Sequence, residues 1–450
     1  MTQRSLVRGL GFWGASSLVV GTIIGTGVFL KAAPMSQQGG SALWVLLAWA
    51  AAGVLSLAGA MTYAELGAMF PAAGGEYVYL RRGYGPAMGY LYAWNRFWIA
   101  TPGSIAAYAV GATTFLGAAV DLEAIGGSTP IAIAFVITFT ALNLINVTAG
   151  GKLQTALTIL KLALVVGLAA GALLAPGGDW STVSERSPFP GWSLFGAMML
   201  NALWAYDGWN NLPMAAGEVR DPARNLPRAL VGGGFVVFAI YLLLNLGYFH
   251  ALPFEAVAGA SSDATSGEPS VASLTAQQFF GDTTTALLGV AMAVCALSAM
   301  NGSMLTGARV PYAVARDNLA PRQLGTISER ARIPALAVIV QGTLSIGFVL
   351  TSKFDEITTA VVFASWLFYA LNAGSVLILR KRDPERPRPF RVPGFPVVPI
   401  VFVLFATLLL VNAVYTQFWL SMLGLGMTAL GATVYGLFLR GRARPLDEAG

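Results

Sequence analysis

Two short stretches interrupt otherwise apolar runs with residues able to hold a charged small molecule. Gly21-Thr22-Ile23-Ile24-Gly25-Thr26-Gly27-Val28-Phe29 carries three glycines within seven residues. Such a stretch lets a helix open and presents backbone N–H groups to an anion. Gly21 and Gly25 alone would read equally well as close helix packing between small residues. The second stretch, Trp204-Ala205-Tyr206-Asp207-Gly208-Trp209-Asn210-Asn211, sets an acid, a glycine and two asparagines inside a hydrophobic segment. A charge at the centre of a bilayer costs at least about 2.5–3.5 kcal/mol, so Asp207 reads either as a functional group or as the N-cap of a second half-helix starting at Gly208.

Lys161 stands among apolar neighbours in Leu157-Thr158-Ile159-Leu160-Lys161-Leu162-Ala163, where snorkelling to the membrane surface is the plain alternative to a role in the interior. Arg96, in Trp94-Asn95-Arg96-Phe97-Trp98, divides evenly between interface snorkelling and a cytoplasmic gate. The chain has one cysteine, Cys295, and one histidine, His250. Disulfide frameworks and Cys/His metal sites are therefore excluded, and no cofactor is expected. Cys295 reads as a small packed residue, and His250 as a structural or solvated residue at the external end of a helix.

The elements that must position these residues are set by composition. Of 450 residues 56% are apolar and 11% charged, against roughly 25% charged in soluble proteins. The apolar residues come in blocks of about 20, the length of a membrane-crossing helix, without the alternation of barrel strands. The fold class is all-α and polytopic, with twelve transmembrane helices near residues 11–36, 42–69, 84–118, 129–148, 153–175, 193–217, 228–250, 284–313, 333–352, 357–379, 397–415 and 418–439. Residues 253–282 read as an external loop with a short helix near 270–280. Nothing suggests a separate soluble module.

Positive charge alternates strongly between the loops. Arg4 and Arg8, Arg81 and Arg82, Lys152, Arg220 to Arg228, Arg316 to Arg332, Arg380 to Arg391 and Arg440 to Arg444 fall on one side, and little beyond Arg186 and Lys353 on the other. Both termini are thus expected in the cytoplasm, with the protein in the cell (inner) membrane. The net charge of +6 follows from this topology and gives no support to nucleic-acid binding. The N-terminal apolar run is too long for a cleaved signal peptide, and its removal would leave an odd number of spans.

The interrupted segments are spans one and six, so each opens a unit of five. That arrangement predicts a five-plus-five inverted repeat with discontinuous helices 1 and 6, the transporter design in which two broken helices meet at the midplane. One membrane domain, 1–450, would hold a first repeat at about 10–175, a second at about 192–380, and two extra helices at about 397–440.

Further stretches carry a resemblance. Gly21–Phe29 followed by Pro34, Phe70-Pro71-Ala72-Ala73-Gly74-Gly75-Glu76-Tyr77, Gly83-Tyr84-Gly85, Tyr206–Trp209, Gly217–Pro222, Asn225–Arg228 and Ser298–Ser303 with Arg309 are similar to the amino acid-polyamine-organocation superfamily. Within it the chain resembles the L-type amino acid transporter branch, including its bacterial members, over about residues 10–380. The resemblance implies a free amino acid held between spans one, three, six, eight and ten. Its carboxylate would meet the N–H groups of Gly25, Thr26 and Gly27 and the Thr26 hydroxyl; its ammonium would meet the carbonyls of Ile23, Trp204 and Asp207. Helix N-termini favour anions and C-termini cations by about 0.3–2 kcal/mol, which agrees with reading both ends of a zwitterion.

The family keeps an aromatic lid at the Trp204 position, against which plain core packing is the alternative. Where branch members carry an acid at the Asp207 position they include carriers of cationic substrates; with the capping alternative open, neutral substrates come first. The resemblance sets Lys161 against the broken first helix and span eight, in the space that related carriers give to sodium. There it would make transport sodium-independent if it stays charged, or carry a proton if it sheds one. Arg96 matches no family hallmark. Ala100, Ser104, Gly208 and Asn301 are expected around the pocket, with close packing as the alternative for Ala100, Ser104 and Asn301.

The implied function is that of a sodium-independent amino acid transporter, an exchanger of L-amino acids working by alternating access, and not an enzyme. The alternatives are a proton-coupled symporter, an exchanger accepting cationic amino acids and, from a different class, a transporter-like nutrient sensor. Animal members of the branch pair with a glycoprotein through a cysteine between spans three and four. This chain has none there, so no disulfide-linked heavy-chain subunit is expected.

Overall fold

The computed structural model describes residues 6–117, 119–145, 147–185, 187–261, 269–280, 284–329, 331–351, 354–416 and 418–445. Arg4, Arg186, Arg330 and Lys353, used above for orientation, lie outside them. The described chain is helical throughout, and its β structure is one isolated parallel bridge between Leu10 and Val219. Ala, Leu, Val and Gly dominate, and a helix satisfies its own backbone where no water is available.

The first apolar block forms α1 (Phe12–Ile23), a break, the single turn α2 (Gly27–Leu30) and α3 (Ala32–Gly39). The second is α4 (Ala42–Met69). A Gly74–Gly75 turn with φ of 96° and 45° leads to α5 (Glu76–Tyr84) and α6 (Pro86–Asn95). Asn95 passes into a π-helical turn, Arg96–Ala100, and on into α7 (Thr101–Gly117). Next come α8 (Ser128–Asn143), α9 (Val147–Leu173) and the short α10 (Ser181–Ser184). The second interrupted block is α11 (Trp192–Ala205), then α12 (Asn211–Met214) after a second break. The long α13 (Pro222–Ala251) follows, with α14 (Phe254–Gly259) and α15 (Val271–Phe280) in the loop after it. The chain continues with α16 (Thr284–Gly307), α17 (Arg309–Arg316), α18 (Ala335–Thr351), α19 (Phe354–Arg382), α20 (Val397–Thr416) and α21 (Phe418–Val434).

Eight of the described segments are long and apolar enough to cross a membrane, and α8, α11 and α18 are shorter apolar helices. The inner and outer helices separate by burial. The most apolar window of Phe12–Leu30 is 78% buried, whereas that of Phe418–Leu439 is 11% buried and turns Trp419 and Leu423 outward. Apolar side chains exposed on that scale mark a lipid-facing surface. In the centre α1 packs on α9 and α13, α13 on α4, and α16 on α7.

Two boundaries differ from the sequence expectation. Helix α13 begins at Pro222, not near 228, because proline fits the first helical position and Asp221 turns the chain with φ of 44°. Arg224 and Arg228 are therefore helical residues, not loop residues. Helix α9 begins at Val147, not near 153, so Lys152 is also helical. Hydropathy ends a span at its first charged residues, whereas these helices run on through them.

Candidate functional site

The breaks in the first and sixth blocks lie against each other. Gly208 sits between α11 and α12 with φ of 124°, and a Cβ there would fall 2.6 Å from the Thr22 carbonyl oxygen and 2.9 Å from the Ile23 nitrogen. Glycine is thus required both by the backbone conformation and by the closeness of the two chains. On the other side Gly27 approaches α11 so closely that a Cβ would fall 2.7 Å from Ala205 Cβ. The contact is also bonded: the Thr22 hydroxyl donates to the Gly208 carbonyl at 2.8 Å. From α13, the Tyr241 hydroxyl lies 3.1 Å from the Ile23 carbonyl and 3.2 Å from that of Ala205, within reach of the last carbonyls of both half-helices.

Beside this junction is a cavity of about 30 Å³, lined by Ile23, Gly25, Thr26, Gly27, Trp204, Ala205 and Asp207, with Ser104, Ala107 and Tyr108 from α7 and Val361 from α19. That volume accommodates about one water molecule and no amino acid. The Thr26 hydroxyl faces this region buried and without a hydrogen-bond partner. A buried unpaired hydroxyl costs roughly 1–3 kcal/mol, which an incoming acceptor would recover.

Of the expected residues, Ile23, Gly25, Thr26, Gly27, Trp204, Asp207 and Ser104 surround this cavity. Gly208 stands just behind it, against Thr22. Asn301 makes its bonds away from this cavity. Its amide nitrogen donates to Gln154 Oε1 at 2.9 Å, and its oxygen accepts from Asn143 at 2.9 Å. Both polar ends therefore join α16 to α9 and α8, and neither Asn301 nor Ala100 is among the cavity walls.

Lys161 is fully buried on α9. Its ammonium donates to the carbonyls of Gly21 at 2.8 Å and Cys295 at 3.0 Å, and also to that of Ile24. The charge thus lies at the C-terminal end of α1 and ties it to α16. Snorkelling is ruled out by these partners. A cation at a helix C-terminus is stabilised by the helix dipole, and three carbonyl acceptors match the three donors of an ammonium.

Asp207 stands in the turn between α11 and α12. The residue preceding α12 is Asn210, which makes no side-chain cap bond. The Asp207 carboxylate accepts the Gly208 backbone N–H and, at 2.8 Å, the Tyr369 hydroxyl of α19, and the residue forms part of the cavity wall. Arg96 does not reach an interface either. It is buried in the π turn and donates to Asn211 Oδ1 on α12 at 2.8 Å. At the start of α5, Glu76 is fully buried and accepts the hydroxyls of Tyr63, at 2.6 Å, and Tyr92.

Tyr108, Tyr241 and Tyr369 were not foreseen as site residues. Each lies in an otherwise apolar span, where a phenol is not rare enough to stand out, and their convergence depends on helix packing. The motif Phe70–Tyr77 was noticed only as a resemblance, and its physical reason is visible here. Gly75 passes so close to α12 that a Cβ would fall 2.5 Å from the Pro213 carbonyl carbon, while Gly74 N–H bonds the Met214 carbonyl at 2.9 Å.

Residues 10–429 match the model of the amino acid permease family. The serine/threonine exchanger SteT of Bacillus subtilis (strain 168) is 32% identical over 420 residues, covering 90% of this chain and 92% of that protein. The human b(0,+)-type amino acid transporter 1 is 30% identical, covering 92% of this chain and 84% of its own. The human cystine/glutamate transporter is 27% identical across 97% of this chain and 85% of its own. With a helix pair broken side by side around a small polar cavity, and with a family match running through nearly all its length, the chain belongs to the amino acid permease family, within the amino acid-polyamine-organocation superfamily.

Proposed function

We propose that the chain is a sodium-independent exchanger of L-amino acids, neutral ones first, working by alternating access in the cell membrane with both termini in the cytoplasm. The observation that carries this reading is the contact between the two broken helices. The breaks offer helix ends of opposite polarity within one cavity, and a zwitterion is the ligand that uses both. Its carboxylate would lie on Gly25–Gly27 and the Thr26 hydroxyl, and its ammonium near the carbonyl ends of α1 and α11, with Trp204 above it. Lys161 would supply internally the cation that other carriers of this design take from solution. Eight long spans, three shorter apolar helices and α19 together support twelve crossings, in two inverted repeats, about 10–175 and 192–380, followed by two extra helices at about 397–440. The single cysteine, Cys295, is buried, which supports function without a disulfide-linked subunit.

The tight cavity and the serine/threonine relative favour small neutral cargo. Asp207 in the cavity wall favours a second activity, acceptance of arginine or lysine. Both are tested by counterflow in proteoliposomes with the twenty amino acids as competitors, for wild type and Asp207→Asn. Small neutral amino acids should compete best. In Asp207→Asn, competition by arginine and lysine should weaken about tenfold, the equivalent of about 1.4 kcal/mol, with neutral competitors changed far less. An unchanged preference would remove Asp207 as a reader of side-chain charge. Uptake driven by a proton gradient with no internal amino acid would replace exchange by symport, and zero counterflow of any amino acid would favour a sensor.

A further inference from the structure

Arg96 is a full charge in the interior of an apolar span, 6% exposed, and an ionisable residue at such depth is costly and functional by default. Its hydrogen bond goes to a neutral amide, Asn211 Oδ1 on α12 at 2.8 Å, and not to a carboxylate. A neutral acceptor does not by itself offset the burial of a guanidinium. Compensation comes from charge at slightly longer range: Glu76 and Asp207, with the phenols of Tyr92 and Tyr369, act on Arg96 electrostatically. The local backbone fixes where the guanidinium stands. The Thr101 N–H bonds the carbonyl of Arg96, five residues back, and closes the rare π turn that begins there. That turn packs against α19, the helix that brings Tyr369. At the other end of the side chain Asn211 is fixed in its turn, its N–H bonding the Gly208 carbonyl at 3.1 Å, one residue from Asp207. The guanidinium is therefore held beside the same break that carries Asp207.

Asp207 belongs to the cavity wall and Arg96 does not. The carboxylate takes hydrogen bonds from the Tyr369 hydroxyl and the Gly208 N–H, both neutral donors, while Arg96 supplies a positive charge that acts on it. A substrate guanidinium or side-chain ammonium approaching Asp207 from the cavity would meet that charge behind the carboxylate, and like charges repel strongly in a medium less polar than water. A neutral side chain meets no such opposition. We propose that Arg96 sets the charge preference of the cavity: it holds the electrostatic place beside Asp207 that a cationic side chain would otherwise take, and so keeps the carrier selective for neutral amino acids. This accounts for a wall that contains an acid around a site suited to neutral cargo. The inference rests on the reading of Asp207 as the residue that faces the substrate side chain. Arg96 acts through Asp207 and touches no substrate, so its effect falls on the choice among amino acids and not on recognition of the zwitterion they share.

The test compares arginine with serine as competitors of counterflow in proteoliposomes of the full chain, as a ratio within each variant, so that a general loss of rate cancels. In Arg96→Gln the half-inhibiting concentration of arginine should fall relative to that of serine by at least about tenfold. Arg96→Lys keeps the charge, and Asn211→Ala keeps the guanidinium while removing its partner; in both the ratio should stay within about threefold of wild type. Adding Asp207→Asn to Arg96→Gln should abolish the gain. If Arg96→Gln is not recovered folded, Arg96→Gln combined with Glu76→Gln, which removes one charge of each sign, is read by the same criteria. An unchanged ratio in the glutamine variant, an equal change in Arg96→Lys or Asn211→Ala, or a gain that survives Asp207→Asn overturns the role of Arg96. A wild type that exchanges no amino acid overturns the transport reading alone, and the same comparison is then made from the rise in Tm that each amino acid produces on binding.

Discussion

Gly208→Ala is expected to lower amino acid counterflow by about 100-fold, the equivalent of about 2.7 kcal/mol in the rate-limiting barrier. A φ of 124° costs an alanine roughly 1–3 kcal/mol before any contact is counted. The added methyl then meets backbone, not a flexible side chain: the Thr22 carbonyl oxygen at 2.6 Å and its carbon at 2.7 Å. Backbone cannot rotate away, so the two breaks must separate. That separation would loosen the bond from Thr22 to the Gly208 carbonyl and draw Ile23 and Ala205 apart beneath Tyr241. The helices themselves remain, since each is held by its own apolar face. Counterflow and thermal unfolding of the same preparation distinguish the effects: transport should collapse while the protein still unfolds cooperatively, a few degrees lower. Exchange within about twofold of wild type would show that the contact of the two breaks is dispensable.

The second large effect is expected at Lys161. Lys161→Ala should reduce counterflow by at least about 100-fold and leave a folded, extractable protein. Removing the ammonium leaves the carbonyls of Gly21, Ile24 and Cys295 without that donor, at roughly 1–3 kcal/mol each if they stay dry. Against this, the protein no longer has to bury a charge, which itself costs several kcal/mol. The two largely offset, so the loss falls on function: α1 is no longer fastened to α16 by a cation at its C-terminal end. Lys161→Met keeps the length of the side chain and separates lost charge from lost volume; it should fail as the alanine variant does. Wild-type exchange rates in either variant, with the protein eluting as a single peak, would remove Lys161 from the mechanism.

The sequence was most informative where a residue was costly in its surroundings. Glycine clusters and charges inside apolar blocks marked the breaks, and Gly25 to Gly27, Trp204 and Asp207 all lie around one cavity. The interior position of Lys161 was also legible, because an ammonium nine residues into an apolar span has few places to go. Span existence was clear, whereas span ends were not: at α9 and α13 the helix continues through charged residues that hydropathy places outside. Asn301 could not be placed from sequence, because an amide in a buried helix has the same appearance whether it faces a cavity or two neighbouring amides. The tyrosines were missed for the opposite reason, since each is ordinary alone. Their meaning comes from convergence: Tyr241 reaches two carbonyls, from Ile23 and Ala205, that are far apart in the chain.

The proposed role of Lys161 in place of a dissolved cation has a consequence for energetics. An ion taken from solution can be released on the far side, and its gradient then drives accumulation; a charge on a side chain stays with the protein through every turnover. A carrier whose internal cation is covalently attached has no salt gradient to spend. Exchanging amino acids of like charge and moving no proton, it brings their inside-to-outside ratios to a common value at rest. What it concentrates is then decided by which amino acid the cell already holds in excess, and other pumps or biosynthesis set its direction.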